Sequence, residues 1–456
     1  MTSESIVDCI DTDCCIVGGG PAGAVLALLL ARQGINVTLL EAHNDFDRDF
    51  RGDVLQPAAL DVMGQMGLAE RVLDVALARY PPGAPTTPSE RTSFPDVGRL
   101  KTPYPFMTYV PQVRFLGVIV EEAQRCPTFR LVMGGRVEAL LRNEDGYVRG
   151  VRYRARDGWH EVRTQLVVAA DGRFSRVRSL AGLEPMRTPA AFDILWFRLP
   201  RLDTDPAPGV FASDGGWTVL HNRGTDWQVG STIAKGSYAR VRAEGLEAVR
   251  RPIALRVPWL ADRTDALHDW NQVSMLAVES SRLRRWYRPG LLLIGDAAHT
   301  MSPIGAVGIT VAIQDAGVAS NVLGPRLHAG RVSVADLAAV QRRREWPVRI
   351  VQAYQQLMQD WMMATRGGDG AGRMPLGYRV QQRIPFLRHL GARIFGLGVW
   401  PVLLSPAPTA QTPEVPPRHS PHCAARWLAT RRPDLQAAIG FPHTSARRAR
   451  SHAGLV

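Results

Sequence analysis

The stretch DCCIVGGGPAGAVLALLLARQGINVTLLE, residues 13–41, decides the fold. Residues 13–17 are a short apolar run, and a run of that length without alternation suits a strand buried on both faces. Three glycines follow, then Pro21, whose fixed φ is already helical and which has no N–H to leave unpaired at a helix start. Residues 22–33 are apolar on nearly every side, which predicts a buried helix. Gly34 ends it and residues 35–40 form a second apolar run. Strand, glycine turn, buried helix and strand make a βαβ unit, the start of a parallel sheet.

The glycine spacing, Gly18-x-Gly20-x-x-Gly23, has a separate reason at each position. Gly18 permits the tight turn, Gly20 lets backbone touch a pyrophosphate, and Gly23 packs the helix close, with Pro21 and Ala22 at the helix N-terminus where phosphates bind. Glu41, eighteen residues after Gly23, ends the second strand, where a carboxylate accepts hydrogen bonds from ribose hydroxyls. The pattern marks a dinucleotide site and does not separate FAD from NAD.

Outward from this unit, residues 55–75 read as helical, 81–105 as a proline-rich excursion and 112–124 as a helix. Residues 129–137 and 147–153 alternate like antiparallel strands, and 164–170 is a buried strand ending at Asp171-Gly172. From 191 to 278 short aromatic-rich runs between turn residues predict a mostly β segment. Residues 291–294 read as a strand, 304–323 as a glycine-opened helix, and 336–360 as an amphipathic helix that Pro347 should kink or break. Residues 367–372 are a glycine-rich break that follows no strand, so only one dinucleotide unit is visible. The expected organisation is a discontinuous nucleotide-binding domain (1–80, 106–185, 282–365), a β-rich substrate domain (81–105, 186–281), a helical region (366–400) and an unstructured tail (401–456).

At 456 residues, with 45% hydrophobic and 21% charged, the chain is long enough for two or three domains and is neither fibrous nor globally disordered. The net charge of +13 raises nucleic acid as a partner, but only Lys101 and Lys235 are lysine, an arginine skew that suits a GC-rich coding sequence better than a phosphate-binding face. Five cysteines without a C-x-x-C pair point to a reduced, cytoplasmic setting. No apolar stretch is long enough to span a membrane. Residues 384–404 mix Phe386, Ile394, Phe395 and Trp400 with Arg388 and Arg393, and suit a core cap better than a peripheral membrane contact. His419, His422 and Cys423 lack a second ligand pair, so no metal is expected, and Arg447, Arg448 and Arg450 read as a solvated charge run.

Two later segments choose the cofactor. Val167-Val168-Ala169-Ala170-Asp171-Gly172-x-x-Ser175-x-x-Arg178 resembles the DG motif of the class A flavoprotein monooxygenases, the para-hydroxybenzoate hydroxylase-like family. Gly295-Asp296-Ala297-Ala298-His299, Pro303, Gly305, Gly308 and Asp315-Ala316 resemble that family's GD motif. The motifs keep family order over about two thirds of the chain. The resemblance implies an α/β fold of the GR2/para-hydroxybenzoate hydroxylase-like kind: a Rossmann-type FAD-binding domain, an inserted antiparallel β substrate domain and a helical C-terminal region. It implies non-covalent FAD, NAD(P)H as a transient cosubstrate, and hydroxylation of an aromatic, polyketide or quinone-like small molecule with O2 through a flavin hydroperoxide. It further implies flavin contacts at Arg51, Gln112, Asp171, Asp296 and the turn at Gly305 and Gly308, although Ala306 and Thr310 stand where the family has glycine and asparagine.

Physical chemistry agrees at one point: a glycine-rich helix start after Pro303 turns N–H groups toward an anion, and reduced flavin is anionic at one edge. Candidate substrate contacts in the β segment are Trp217, His221, Ser231 and Tyr238, with Trp196, Arg198 and Lys235 beside them. No catalytic base is assigned. The competing readings are a double-bond reductase, oxidase or halogenase on the same scaffold, or a non-catalytic flavin- or nucleic-acid-binding protein. The chain lacks the W-x-W-x-I-P run of a halogenase.

Overall fold

The computed structural model describes residues 6–47, 53–80, 97–213, 216–364 and 384–406. β1 (Ile6–Val17), α1 (Pro21–Arg32) and β2 (Val37–Glu41) form the expected βαβ unit. β1 is central: Cys14 lies opposite Val37 of β2 on one side and opposite Leu166 of strand Gly158–Ala169 on the other, both in parallel. Strand Phe129–Met133 extends the sheet beyond β2, and Leu291–Leu293 extends it past Gly158–Ala169. The five parallel strands therefore run in the 3-2-1-4-5 order of a nucleotide-binding sheet.

Burial explains why the sequence reads as it does. Cys14, Cys15 and Ile16 have no exposed surface, so the C-terminal end of the middle strand has no polar face. In α1 every residue from Ala22 to Ala31 is buried, because helices Gln112–Gln124 and Gly308–His328 cover it from both sides. Each leucine buried there contributes about 1.5–3 kcal/mol. The Ile304–His328 segment is long and apolar enough to cross a membrane by composition alone, with mean hydropathy 1.3, yet 72% of its apolar window is buried inside the fold.

Five boundaries differ from expectation. The 55–75 helix is two, Pro57–Gln65 and Ala69–Asp74, because Gly67 sits at φ +70° and ends the first helix, with the Leu68 N–H donating to Met63 O (2.8 Å) and the Gly67 N–H to Gly64 O (3.0 Å). The 129–137 run is likewise two elements: Phe129–Met133 joins the parallel sheet, and after Gly134 and Gly135 the strand Arg136–Arg142 pairs antiparallel with Val148–Ala155. The 164–170 strand is the buried end of the twelve-residue Gly158–Ala169. Before helix Gly308–His328 comes a separate turn, Ile304–Ala306. Helix Val334–Ala364 continues through Pro347, since Arg344, Val348 and Val351 on either side are buried and hold it.

A second, antiparallel sheet runs in the order Gly209–Ser213, Gly216–Asn222, Asp226–Ala234, Phe192–Pro200, Ser274–Leu276. Its outer face carries Leu195, Phe197, Leu220, Trp227 and Val229 beneath helices Tyr238–Ala243 and Glu247–Arg256. Its inner face carries Phe192, Ile194, Trp196 and Trp217, which share a core with Ala297, Met301, Ile304 and Val307 of the nucleotide-binding part. Helix Pro385–Gly396 and the residues after it cap the fold: Phe395 and Val402 are core, while Trp400 and Leu403 are exposed. Arg51, much of the proline-rich excursion, 367–372, and the tail with His419, His422, Cys423, Arg447, Arg448 and Arg450 lie outside the described residues.

Candidate active site

The first glycine turn is built as its spacing demands. Gly18 has φ +103°, and a Cβ there would stand 2.4 Å from Ala170 O; a Cβ on Gly23 would stand 2.0 Å from Gly18 O. At Gly20 a Cβ would meet nothing within 4 Å, so the backbone faces open space. Pro21 starts α1, and neither a side-chain cap nor an acid occupies its first turn, which leaves its N–H groups for an anion. Glu41 is set at the end of β2, its Oε2 accepting from the Gly19 N–H (2.9 Å) and its Oε1 from the His43 N–H (3.0 Å).

Gly295 lies against this turn: its Cβ, if present, would be 3.1 Å from that of Ala22. Sequence positions 273 residues apart are thereby neighbours, with Asp296 on the turn Gly295–Ala297. Beneath it sits Asp315, fully buried, accepting from the Gly295 N–H (3.0 Å), His299 Nε2 (2.6 Å) and Arg344 Nε (2.7 Å). Burial alone would raise this carboxyl, but His299 and Arg344 hold it below the ordinary value, so a charged network supports the turn.

The turn Ile304–Ala306, expected to meet the flavin end, is held from three sides. Gln355 Nε2 donates to Ser302 O and Ile304 O, and Gln56 Nε2 donates to Gly305 O (2.7 Å). Gly305 is at φ +78°, and a Cβ on it would press 2.9 Å from the ring of Phe395. Thr310 accepts from the Gln56 N–H (3.3 Å) and so anchors the turn from the position where the family has asparagine. Pro303 precedes the turn, and helix Gly308–His328 opens at Gly308, again with no side-chain cap and no acid in its first turn. Two uncapped helix N-termini joined through Ala22 and Gly295, with open space over Gly20, fit a long anionic dinucleotide such as FAD.

The middle motif is a brace. Asp171 accepts from Ser175 Oγ (2.5 Å) and the Val177 N–H (3.0 Å), so its carboxylate caps helix Arg176–Leu180, and burial pushes it above the usual range. Arg178 donates to Ala297 O (3.1 Å) and Arg173 O (2.7 Å), tying this loop to the Asp296 turn. The Gln112 N–H donates to Asp53 Oδ1 (3.0 Å), which places Gln112 at the start of its helix beside the Gln56 segment.

Of the four candidate substrate contacts, Trp217 and His221 stand on the inner face of the antiparallel sheet, as does Trp196. Ser231 and Tyr238 do not join them. Ser231 pairs with Thr218 on the outer face and accepts from Arg256, and Tyr238 packs edge-on to Trp270 in the outer core. Lys235 is occupied by Asp193 (2.7 Å) and Val278 O (2.6 Å). Sequence reasoning missed Gln56, Arg344 and Gln355, three buried polar residues; Gln56 has a faint signal in standing before Pro57 at a helix start, and the other two have none.

The family described as FAD binding domain matches residues 11–352. The chain is 37% identical over 391 residues to 6-methylpretetramide 4-monooxygenase of Streptomyces rimosus, covering 84% of this chain and 92% of that protein. Among solved structures it superposes on the OxyS anhydrotetracycline hydroxylase of Streptomyces rimosus with a TM-score of 0.69 at 21% identity, over 85% of this chain and 76% of that one. It superposes on PqsL of P. aeruginosa, solved with 2-aminobenzoylacetate, with a TM-score of 0.67 at 22% identity, over 78% and 98%. The chain belongs to the FAD-binding-domain family and is a class A FAD-dependent monooxygenase.

Proposed function

We propose that this monooxygenase hydroxylates a polycyclic phenolic polyketide of the pretetramide kind in the cytoplasm, with NAD(P)H as the electron donor. The observation that carries the reading is the 37% identity to 6-methylpretetramide 4-monooxygenase, which runs through the substrate layer as well as the nucleotide-binding part. Bound FAD supplies the reducible ring that takes up electrons and activates O2. Gly18, Gly20, Pro21, Ala22, Gly23 and Glu41 hold its ADP half. Gly295, Asp296, Pro303, Gly305 and Gly308 hold the flavin end, with N–H groups of the Gly308 helix offered to the edge that becomes anionic on reduction. The inner face of the antiparallel sheet, rich in indole and imidazole rings, orients the substrate and keeps water from the reacting centre.

The test is turnover by the purified holoenzyme with 6-methylpretetramide, NADPH or NADH, and O2. The expected result is a product one oxygen atom heavier, formed with coupled cofactor consumption and lost under nitrogen. Cofactor consumption unchanged by this compound, with no oxygenated product, overturns the proposal.

A further inference from the structure

The inner wall of the substrate layer is more specific than an apolar surface. Cross-strand register sets Trp196 beside Gly230 and Val219, and a Cβ on Gly230 would stand 2.7 Å from the indole, so that glycine is what admits the ring. The His221 ring is layered between Trp196 (centroids 6.0 Å, 20° apart) and Tyr109 (5.5 Å, 28°). Tyr80 meets it edge-on and its Oη lies 2.6 Å from His221 Nδ1. The same wall touches the flavin-end turn, because Ala306 packs on the cluster of Val54, Tyr80 and Tyr109.

The hydrogen on that contact can be assigned. Tyr80 is buried, and among the described residues its hydroxyl has only Nδ1 as a partner. If the imidazole donated instead, the phenolic hydrogen would be a buried orphan, at a cost of about 1–3 kcal/mol. So Tyr80 donates, Nδ1 accepts, and the ring proton sits on Nε2. Burial pushes His221 down to about 4, so the ring is neutral at physiological pH and keeps that tautomer. Nε2 has no protein partner among the described residues, and His221 is only half-buried, so the N–H faces accessible space.

We propose that His221 donates its Nε2–H to an oxygen of the aromatic substrate, with Tyr80 as the positioning residue that fixes the tautomer. An imidazole held in this tautomer donates at Nε2 and does not accept there, so it selects a ring system that carries a phenolate, phenol or keto oxygen, and favours the ionised phenol over the neutral one. This rests on the reading of the substrate as a phenolic polycycle and says which of its atoms the protein holds.

The experiment uses flavin-absorbance titration of the oxidised holoenzyme with 1-naphthol and with 1-methylnaphthalene, a pair alike in shape but differing in the oxygen. Wild type should prefer the naphthol by about tenfold or more, the scale of one good hydrogen bond. His221→Phe and Tyr80→Phe should shrink that preference to about twofold while leaving 1-methylnaphthalene affinity and flavin content unchanged, and His221→Gln, which keeps an N–H donor, should restore part of it. A preference that survives in His221→Phe, or equal loss of both probes in every variant, overturns the assignment. Failure of the substrate reading is separate: it shows as no product from 6-methylpretetramide in a wild-type enzyme that still prefers the naphthol.

Discussion

Asp315 shows how much of this site depends on groups that never meet a ligand. Its carboxylate is the anion shared by His299, Arg344 and the Gly295 N–H. Asp315→Asn leaves the Arg344 guanidinium buried without its countercharge, a loss of about 3–5 kcal/mol, and loosens the turn that carries Asp296. Urea unfolding at pH 7 should show that loss together with a lower flavin content. Because the folded carboxyl is held below its ordinary value of 3.8, its contribution is complete above that pH and declines as the pH falls further, so the gap between wild type and variant should narrow in acid. A constant gap from pH 7 to pH 3 would refute the charged network. At this scale the sequence was legible where backbone geometry forces a residue type, as at Gly18 and Gly23. It was silent where a polar side chain is recruited from a distant helix, since Arg344 and Gln355 have the same local surroundings as solvated neighbours such as Arg342 and Gln356.

α1 is the element to which the proposed site assigns cofactor capture. Gly23 leaves no room for a Cβ, whose nearest neighbour would be the carbonyl of Gly18, a backbone atom that cannot swing aside. Gly23→Ala must therefore push α1 away from β1, costing about 1–3 kcal/mol and moving its N-terminus off the phosphates. The flavin-to-protein ratio after desalting should fall steeply while far-ultraviolet circular dichroism stays near wild type; full flavin retention would sink the role given to this helix start. The βαβ unit was readable because apolar periodicity and glycine spacing agree over residues 13–41. The end of the Pro57–Gln65 helix escapes the apolar pattern although Gly67 announces it, and of the kink or break expected at Pro347 the break does not occur, because tertiary packing outweighs one lost hydrogen bond.

For the whole molecule, three stretches far apart in sequence meet, and on the proposed placement the nucleotide would act as a cross-brace between them. FAD at a hundred times its dissociation constant should stabilise the fold by about 2.7 kcal/mol, seen as a melting temperature several degrees higher than in the flavin-stripped protein. An unchanged melting temperature would mean that the nucleotide does not bridge them. The antiparallel layer is legible as a segment, but only part of its inward set of residues is. Trp217 and His221 face in while Ser231 faces out, because the pairing of His221 with Gln228 and of Thr218 with Ser231 shifts the alternation from one strand to the next. Strand alternation is local, whereas which phase points inward depends on hairpin register.

Phe395 lies directly beneath Gly305, so the floor of the flavin-end turn comes from a helix almost ninety residues downstream. On the proposed placement of the flavin, the far half of the nucleotide would have no seat until this aromatic ring has emerged and folded back, and cofactor loading would come late in the maturation of the chain.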